Sequence, residues 1–213
     1  MRSTIIASII ATSQKGMDER IDSVKNHVSA IQLDVMDSRF VPTHSLDFDL
    51  KIKKIKPKIE AHLMINNPGK WIDKYSKFVD AVIFHYESVY RNKINEMIKK
   101  VRIKKKKVGI AISPKTSIQG IIPYLDEIDQ VIVMTVVPGW YGAKFVPHSI
   151  EKIKELRRIA PRLDIEVDGG INPKTIKKAK SAGANRFVVG SYLQKSRDIK
   201  KSINTLKSLI KNR

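Results

Sequence analysis

The hexapeptide Gln32-Leu33-Asp34-Val35-Met36-Asp37 is an apolar run broken by a carboxylate. Read as a strand, it puts Gln32, Asp34 and Met36 on one face, while Leu33 and Val35 pack on the other. In a barrel of parallel strands the inward face at the carboxyl end opens into the active-site mouth, where a carboxylate can move protons. The plainer reading is an Asp that caps the turn after the strand, and the hexapeptide alone supports the two equally. Comparable residues stand near the ends of other apolar runs: Ser8; His62 with Met64; Met134 with the turn Pro138-Gly139-Trp140-Tyr141-Gly142; Asp168-Gly169-Gly170; and Gly190-Ser191. Each has two readings. His62 is a ligand or a hydrogen-bonded core histidine, and Met36, Met64 and Met134 line a site or fill core gaps. The glycines are turn residues, or they expose backbone N–H groups to an anion. The chemical reading gains from convergence, because every plainer one would have to hold at the same end of one barrel.

The elements that must position these residues alternate. Strands are predicted near Thr4 to Ile10, Ala30 to Met36, Lys58 to Ile65, Ala81 to Tyr86, Val108 to Ser113, Gln130 to Val136, Asp164 to Asp168 and Arg186 to Gly190. Helices fit between them at Asp18 to Val28, Pro68 to Phe78, Val89 to Arg102, Ser117 to Leu125, His148 to Ile159, Pro173 to Ser181 and Ile199 to Lys211, with a further helix over Ser45 to Ile55. Asn67-Pro68 and Asn172-Pro173 place Pro at a first helical position. Strands alternating with helices imply a parallel sheet, and eight strands close a barrel. The absence of a repeat, linker or composition break predicts one domain over 1–213.

At 42% hydrophobic, the 213 residues can bury a substantial core. No stretch approaches the roughly 20 apolar residues that span a bilayer, so no membrane partner is expected, and Thr4 to Ala11 reads as a first strand in place of a signal peptide. The lack of Cys removes disulfides, thiolate metal sites and thiol nucleophiles, and fits a cytoplasmic setting. Lys and Arg outnumber Asp and Glu by 41 to 21, and the formal charge of +20 attracts anions. The run Lys99 to Lys107 ends a predicted helix, where cations complement the dipole. No aromatic interleaves it as a base-stacking platform, which disfavours nucleic acid as a partner.

Five motifs taken together resemble the ribulose-phosphate 3-epimerase family: Asp34-Val35-Met36-Asp37 followed by Phe40-Val41-Pro42; His62-Leu63-Met64; Met134-Thr135-Val136 with Pro138-Gly139; Lys144-Phe145-Val146-Pro147; and Glu166-Val167-Asp168-Gly169-Gly170-Ile171-Asn172. The resemblance runs from Ser8 to Ser191. It implies a single (β/α)8 TIM barrel of the ribulose-phosphate-binding type. The implied reaction interconverts ribulose 5-phosphate and xylulose 5-phosphate by inversion at carbon 3, through an enediolate. Asp34 and Asp168 would be the two acid/base groups, one taking a proton while the other gives. One divalent metal (Zn, Fe, Mn or Co in the family) would stabilise the enediolate, held by Gln32, Asp34, His62 and Asp168. Met36, Met64 and Met134 would form a water-poor lid over the sugar, with Ser8 and His62 beside it. Gly139 with Trp140, Tyr141 and Gly142, then Gly169-Gly170 and Gly190-Ser191, would cradle the phosphate.

The chain departs from that family at several positions. Gln32 stands where relatives carry His in the pattern His-Leu-Asp, and an amide oxygen is a harder and weaker donor that favours Mn or Mg over Zn or Fe. Three outcomes stay open: altered metal preference, a weakened site, or lost activity, the last disfavoured because both carboxylates, His62 and the methionines survive. The turn after the sixth predicted strand carries Val137, Trp140, Tyr141 and Ala143 in place of Asn, Phe, Gly and Gln. Ser38-Arg39 replaces Gly-His, and Ala7 replaces a Pro. The alternatives are 3-epimerisation of a hexulose phosphate such as allulose 6-phosphate, or a non-catalytic sugar-phosphate or nucleic-acid binder with an eroded metal site. Decarboxylases with an Asp-x-Lys-x-x-Asp array are disfavoured by Met36. The family assembles as dimers or hexamers, so a homo-oligomer is expected.

Overall fold

The computed structural model describes residues 3–140 and 142–211. Nine strands follow in chain order: β1 (Thr4–Ile9), β2 (Ala30–Asp37), β3 (His44–Ser45), β4 (Lys58–Met64), β5 (Ala81–His85), β6 (Lys107–Ile112), β7 (Gln130–Met134), β8 (Asp164–Asp168) and β9 (Arg186–Val189). Eight of them run parallel in the order β1-β9-β8-β7-β6-β5-β4-β2, and the β1–β2 pairing closes the ring. The two-residue β3 lies antiparallel on the end of β2, opposite Met36 and Asp37. The expected eight-stranded parallel barrel is therefore present. The connections carry α1 (Gln14–Val24), α2 (Gly69–Tyr75), α3 (Ile94–Ile103), α4 (Ser149–Ile159), α5 (Thr175–Ser181), α6 (Ser191–Gln194) and α7 (Ile199–Ile210). Among the described residues, no helix is long and apolar enough to cross a membrane.

The period of two along each strand divides the molecule into two cores. Outward residues such as Leu33, Leu63, Phe84, Val131 and Phe187 are fully buried against the helices in one continuous apolar cluster. Inward residues form smaller clusters inside the ring, such as Ile6 with Ala30 and Val188, and Ile83 with Ala111 and Ile132. At Gly109 of β6 a Cβ would stand 2.8 Å from Gln130 Cγ and 2.9 Å from Ile83 Cγ1, so only glycine leaves room for its neighbours' side chains. The interior also holds a layer of charge. Arg186 Nε donates to Glu166 Oε2 at 2.7 Å and its Nη2 to Glu60 Oε2, leaving Oε1 of both glutamates buried without a partner. Burial and the charge of Glu60 push the Glu166 carboxyl well above the usual range.

Three expected helices change form. Ser45 to Ile55 is not helical. Its apolar residues Leu46, Phe48, Leu50 and Ile52 recur every second residue, a spacing that does not keep to one helix face, and Leu46 and Leu50 are buried. Ser117 to Leu125 is two short 3-10 turns, Ile118–Gly120 and Ile122–Tyr124, with Gly120 and Pro123 interrupting the run. The expected Val89 to Arg102 helix begins only at Ile94, after two further 3-10 turns. α1 starts four residues before its expected position because Ser13 caps it, its Oγ accepting from the Gly16 N–H at 3.2 Å.

Candidate active site

Strand register decides which side chains meet. Ser8 of β1 lies beside Gln32 of β2, Asp34 of β2 beside His62 of β4, and Met134 of β7 beside Asp168 of β8. Between Asp34 and Asp168 the ring passes through β1 and β9, so the two carboxylates come from strands three places apart. They nonetheless converge, because ligand atoms of Asp34, His62 and Asp168 all lie within 4.8 Å of one another. Gln32 sits between them. Its Nε2 donates to Asp34 Oδ1 at 2.7 Å and to Asp168 Oδ2 at 2.8 Å, and lies 3.4 Å from His62 Nδ1. Ser8 Oγ donates to the second Asp34 oxygen at 2.5 Å, so Asp34 is fixed through both oxygens.

The electrostatics follow from this crowding. Burial raises the Asp34 carboxyl above its usual range, and the charge of Asp168 adds to it against the hydrogen bonds of His62 and Ser8. Burial opposes charge on His62, but Nδ1 lies 3.2 Å from Asp168 and 3.4 Å from Asp34, and these partners raise its pKa to about 10. On its other edge His62 Nε2 meets His85 Nε2 at 2.9 Å, and His85 Nδ1 meets Glu87 Oε2 at 3.1 Å. Burial pushes the pKa of His85 down. Burial would raise Glu87, but hydrogen bonds from His85, Thr116 and the Ser113 N–H outweigh it and hold the carboxyl at about 2.

Above the carboxylates opens a cavity of about 280 Å³. Asp34 and Asp168 line it together with Ser8, Met36, Met64 and Met134. Its rim is formed by Gly139, Trp140 and Gly142 after β7, Gly169 and Gly170 after β8, and Gly190 and Ser191 after β9. Because β7, β8 and β9 are neighbours in the ring, these turns share one side of the mouth. The tight turn after β8 demands glycine: Gly169 has φ of +111°, and a Cβ there would stand 2.3 Å from Val136 Cγ2. The loop after β2 supports the flap after β7, since Thr43 Oγ1 donates to the Gly139 carbonyl at 2.8 Å.

All the expected site residues that are described gather at this end, but Gln32 and His62 do not line the cavity. Both are fully buried beneath it and bear on the cavity through Asp34 and Asp168. Trp140 lines the cavity while remaining 61% exposed, and Tyr141 lies outside the described residues. Sequence reasoning assigned no role to His85, Glu87 or Thr43. His85 was within reach, being the third inward residue of the series Ala81, Ile83, His85, beside a strand whose inward residue is His62. Glu87 was not, because a 3-10 turn over Tyr86–Ser88 breaks the strand periodicity before it.

A closed parallel barrel that brings two carboxylates, a histidine and glycine-rich turns to one mouth has the architecture of a TIM-barrel enzyme with its site at the carboxyl end of the strands. Residues 4–194 match the model of the ribulose-phosphate 3 epimerase family, and the chain belongs to that family. It is 33% identical over 215 residues to ribulose-phosphate 3-epimerase of Bacillus subtilis, covering 95% of this chain and 97% of the relative. It is 31% identical over 219 residues to that of Schizosaccharomyces pombe, covering 99% and 95%. The cytoplasmic isoform of Oryza sativa is 36% identical over 170 residues, 76% of this chain and 74% of the relative. Among solved structures, the tryptophan synthase α-subunit of Pyrococcus furiosus superposes with a TM-score of 0.73 at 17% identity, covering 98% of this chain and 100% of that one. That likeness concerns the fold alone.

Proposed function

We propose that this chain is a ribulose-phosphate 3-epimerase, an isomerase that interconverts D-ribulose 5-phosphate and D-xylulose 5-phosphate. The observation that carries this reading is the pair Asp34 and Asp168, which rise from strands three places apart and line one cavity. Inversion at carbon 3 requires one proton to leave from one face and another to arrive on the opposite face. With the sugar carbon between them, one carboxylate takes while the other gives, and the roles exchange in the reverse reaction. Ser8 and Gln32 hold Asp34 by both oxygens and so fix its plane. Met36, Met64 and Met134 give the cavity apolar walls that limit water beside the reacting carbon. The glycine turns after β7, β8 and β9 offer close backbone approach to the phosphate.

A divalent metal fits the residues beneath the cavity. Asp34, His62 and Asp168 form a compact donor group. Gln32 directs its amide N–H toward both carboxylates and leaves Oε1 buried without a partner, and a half-turn of the amide would offer that oxygen as a fourth donor. The metal, when bound, supplies Lewis-acid stabilisation of the oxygen charge that grows as the proton leaves. With oxygens from two carboxylates and an amide against one imidazole nitrogen, the set favours Mn or Mg over Zn or Fe. The same reading places the protein in the cytoplasm, in pentose phosphate metabolism, as a dimer or hexamer. The absence of Cys and the named cytoplasmic relative support that compartment.

A coupled assay with ribulose 5-phosphate, run beside allulose 6-phosphate, tests the assignment. Asp34→Asn and Asp168→Asn should each lower turnover by about 10²–10⁴-fold. Chelation should abolish activity, and Mn or Mg should restore it better than Zn. Full activity in both Asn variants, or turnover of the hexulose phosphate alone, would overturn the proposal.

A further inference from the structure

His62 is the inner end of a chain of hydrogen bonds that leaves the site and runs to the opposite rim. His62 and His85 are both fully buried, with ring planes 20° apart and centroids separated by 5.0 Å. Their Nε2 atoms are 2.9 Å apart, so the rings meet edge to edge, and the Phe40 ring packs against His85 with centroids 4.9 Å apart. Two imidazole nitrogens at this distance need one proton between them, and one ring must donate while the other accepts.

The outer partner decides which. Glu87 Oε1 already takes the Ser113 N–H at 2.7 Å and the Thr116 hydroxyl, while Oε2 faces His85 Nδ1 at 3.1 Å. An ionised carboxylate only accepts, so His85 Nδ1 carries the proton. In the neutral His85 ring Nε2 is then bare, and His62 Nε2 must donate to it. That fixes the other nitrogen of His62, Nδ1, as the atom presented to Asp34 and Asp168. The anchoring end is itself held. Lys152 of α4 donates to the carbonyls of Ser113, Pro114 and Thr116, and His148 Nε2 lies 3.1 Å from the Pro114 carbonyl, so the turn that grips Glu87 is tied to a helix.

We propose that Glu87, acting through His85, is a positioning residue that sets the direction of this chain and thereby dedicates His62 Nδ1 to a divalent cation beneath the cavity. The inference rests on the metal reading of the site given above, but neither Glu87 nor His85 lines the cavity or belongs to the donor group of Asp34, His62 and Asp168. Carboxylates that orient metal-ligating histidines in this way commonly contribute about 10–100-fold to metal affinity. Here the carboxylate acts one imidazole further out. Gln in place of Glu87 keeps the size but can donate its N–H to His85 Nδ1. That would free His85 to protonate Nε2 and set two donors against each other at His62.

The test reads proton position directly. In protein carrying ¹⁵N-labelled imidazoles, long-range ¹H–¹⁵N correlation spectra of the metal-free and Zn-loaded forms should both show His85 protonated on Nδ1 with Nε2 bare, and a proton on Nε2 of His62. In Glu87→Gln, His85 should shift toward the Nε2–H form, and Zn affinity by chelator competition should fall about 10–100-fold. Wild-type His85 protonated on Nε2, or an E87Q protein that binds Zn as tightly as wild type, would overturn the proposal. If E87Q fails to fold, the wild-type spectrum still decides. If wild-type protein takes up neither Zn nor Mn, the metal reading fails, while the metal-free spectrum still tests the direction of the chain.

Discussion

Gln32 is the residue whose chemistry sets this site apart. It is fully buried, donates to both carboxylates through one amide nitrogen, and leaves its oxygen without a partner. A buried acceptor left unpaired carries a desolvation cost of about 1–3 kcal/mol, which a cation or a turned amide would relieve. Donor hardness gives the direction of a test. Gln32→His replaces an amide oxygen by an imidazole nitrogen, so the variant should bind Zn more tightly relative to Mn than the wild type does. Competition of the two ions for the metal-free protein, read by elemental analysis, would show it. An unchanged Zn-to-Mn ratio would mean that residue 32 does not face the ion.

At the scale of elements, what was legible in the sequence is what periodicity records. The barrel strands carry a period of two with apolar outward residues, and their predicted bounds fall within one or two residues of the observed ones. Residues on those strands, Asp34 and Asp168 above all, could be placed from parity and order alone. The segments that resisted are those whose form depends on partners distant in sequence. The chain after Leu46 is anchored by the burial of Leu46 and Leu50, and Glu87 is oriented by Ser113 and Thr116 from the loop after the neighbouring strand. Parity likewise puts Glu60 and Glu166 inside the ring without showing that Arg186 of β9 donates to both. That triad ties β4, β8 and β9 together beneath the site. Removing the cation takes away the donor that buried Glu60 and Glu166 share, so Arg186→Met should lose about 3–5 kcal/mol of stability. Urea unfolding would show this as a lower midpoint at unchanged slope, and a loss under 1 kcal/mol would mean that water reaches the layer.

The whole molecule carries a formal charge of +20. Many of its acids are already paired locally: Asp22 with Lys25, Asp49 with Lys74, Asp80 with Lys58, and Asp73 with Lys100 and Lys104. Such exposed pairs add little stability, but they cancel acid charge where it stands, and the surplus cations are left to act at long range. A sugar phosphate is a dianion near neutral pH, so that field draws it toward the protein from beyond contact distance. The field acts on the whole phosphate, which bears the same charge in the bound sugar and at the transition state. It should therefore lower KM and leave kcat alone. Salt separates this from the chemistry at carbon 3. The screening length falls from about 30 Å at 0.01 M to about 8 Å at 0.15 M, while the buried contacts among Asp34, His62 and Asp168 are screened far less. Between those ionic strengths KM for ribulose 5-phosphate should rise, on the order of tenfold at most, with kcat constant. A fall in kcat at constant KM would place the salt sensitivity in the carboxylate pair and leave the basic surface without a part in substrate capture.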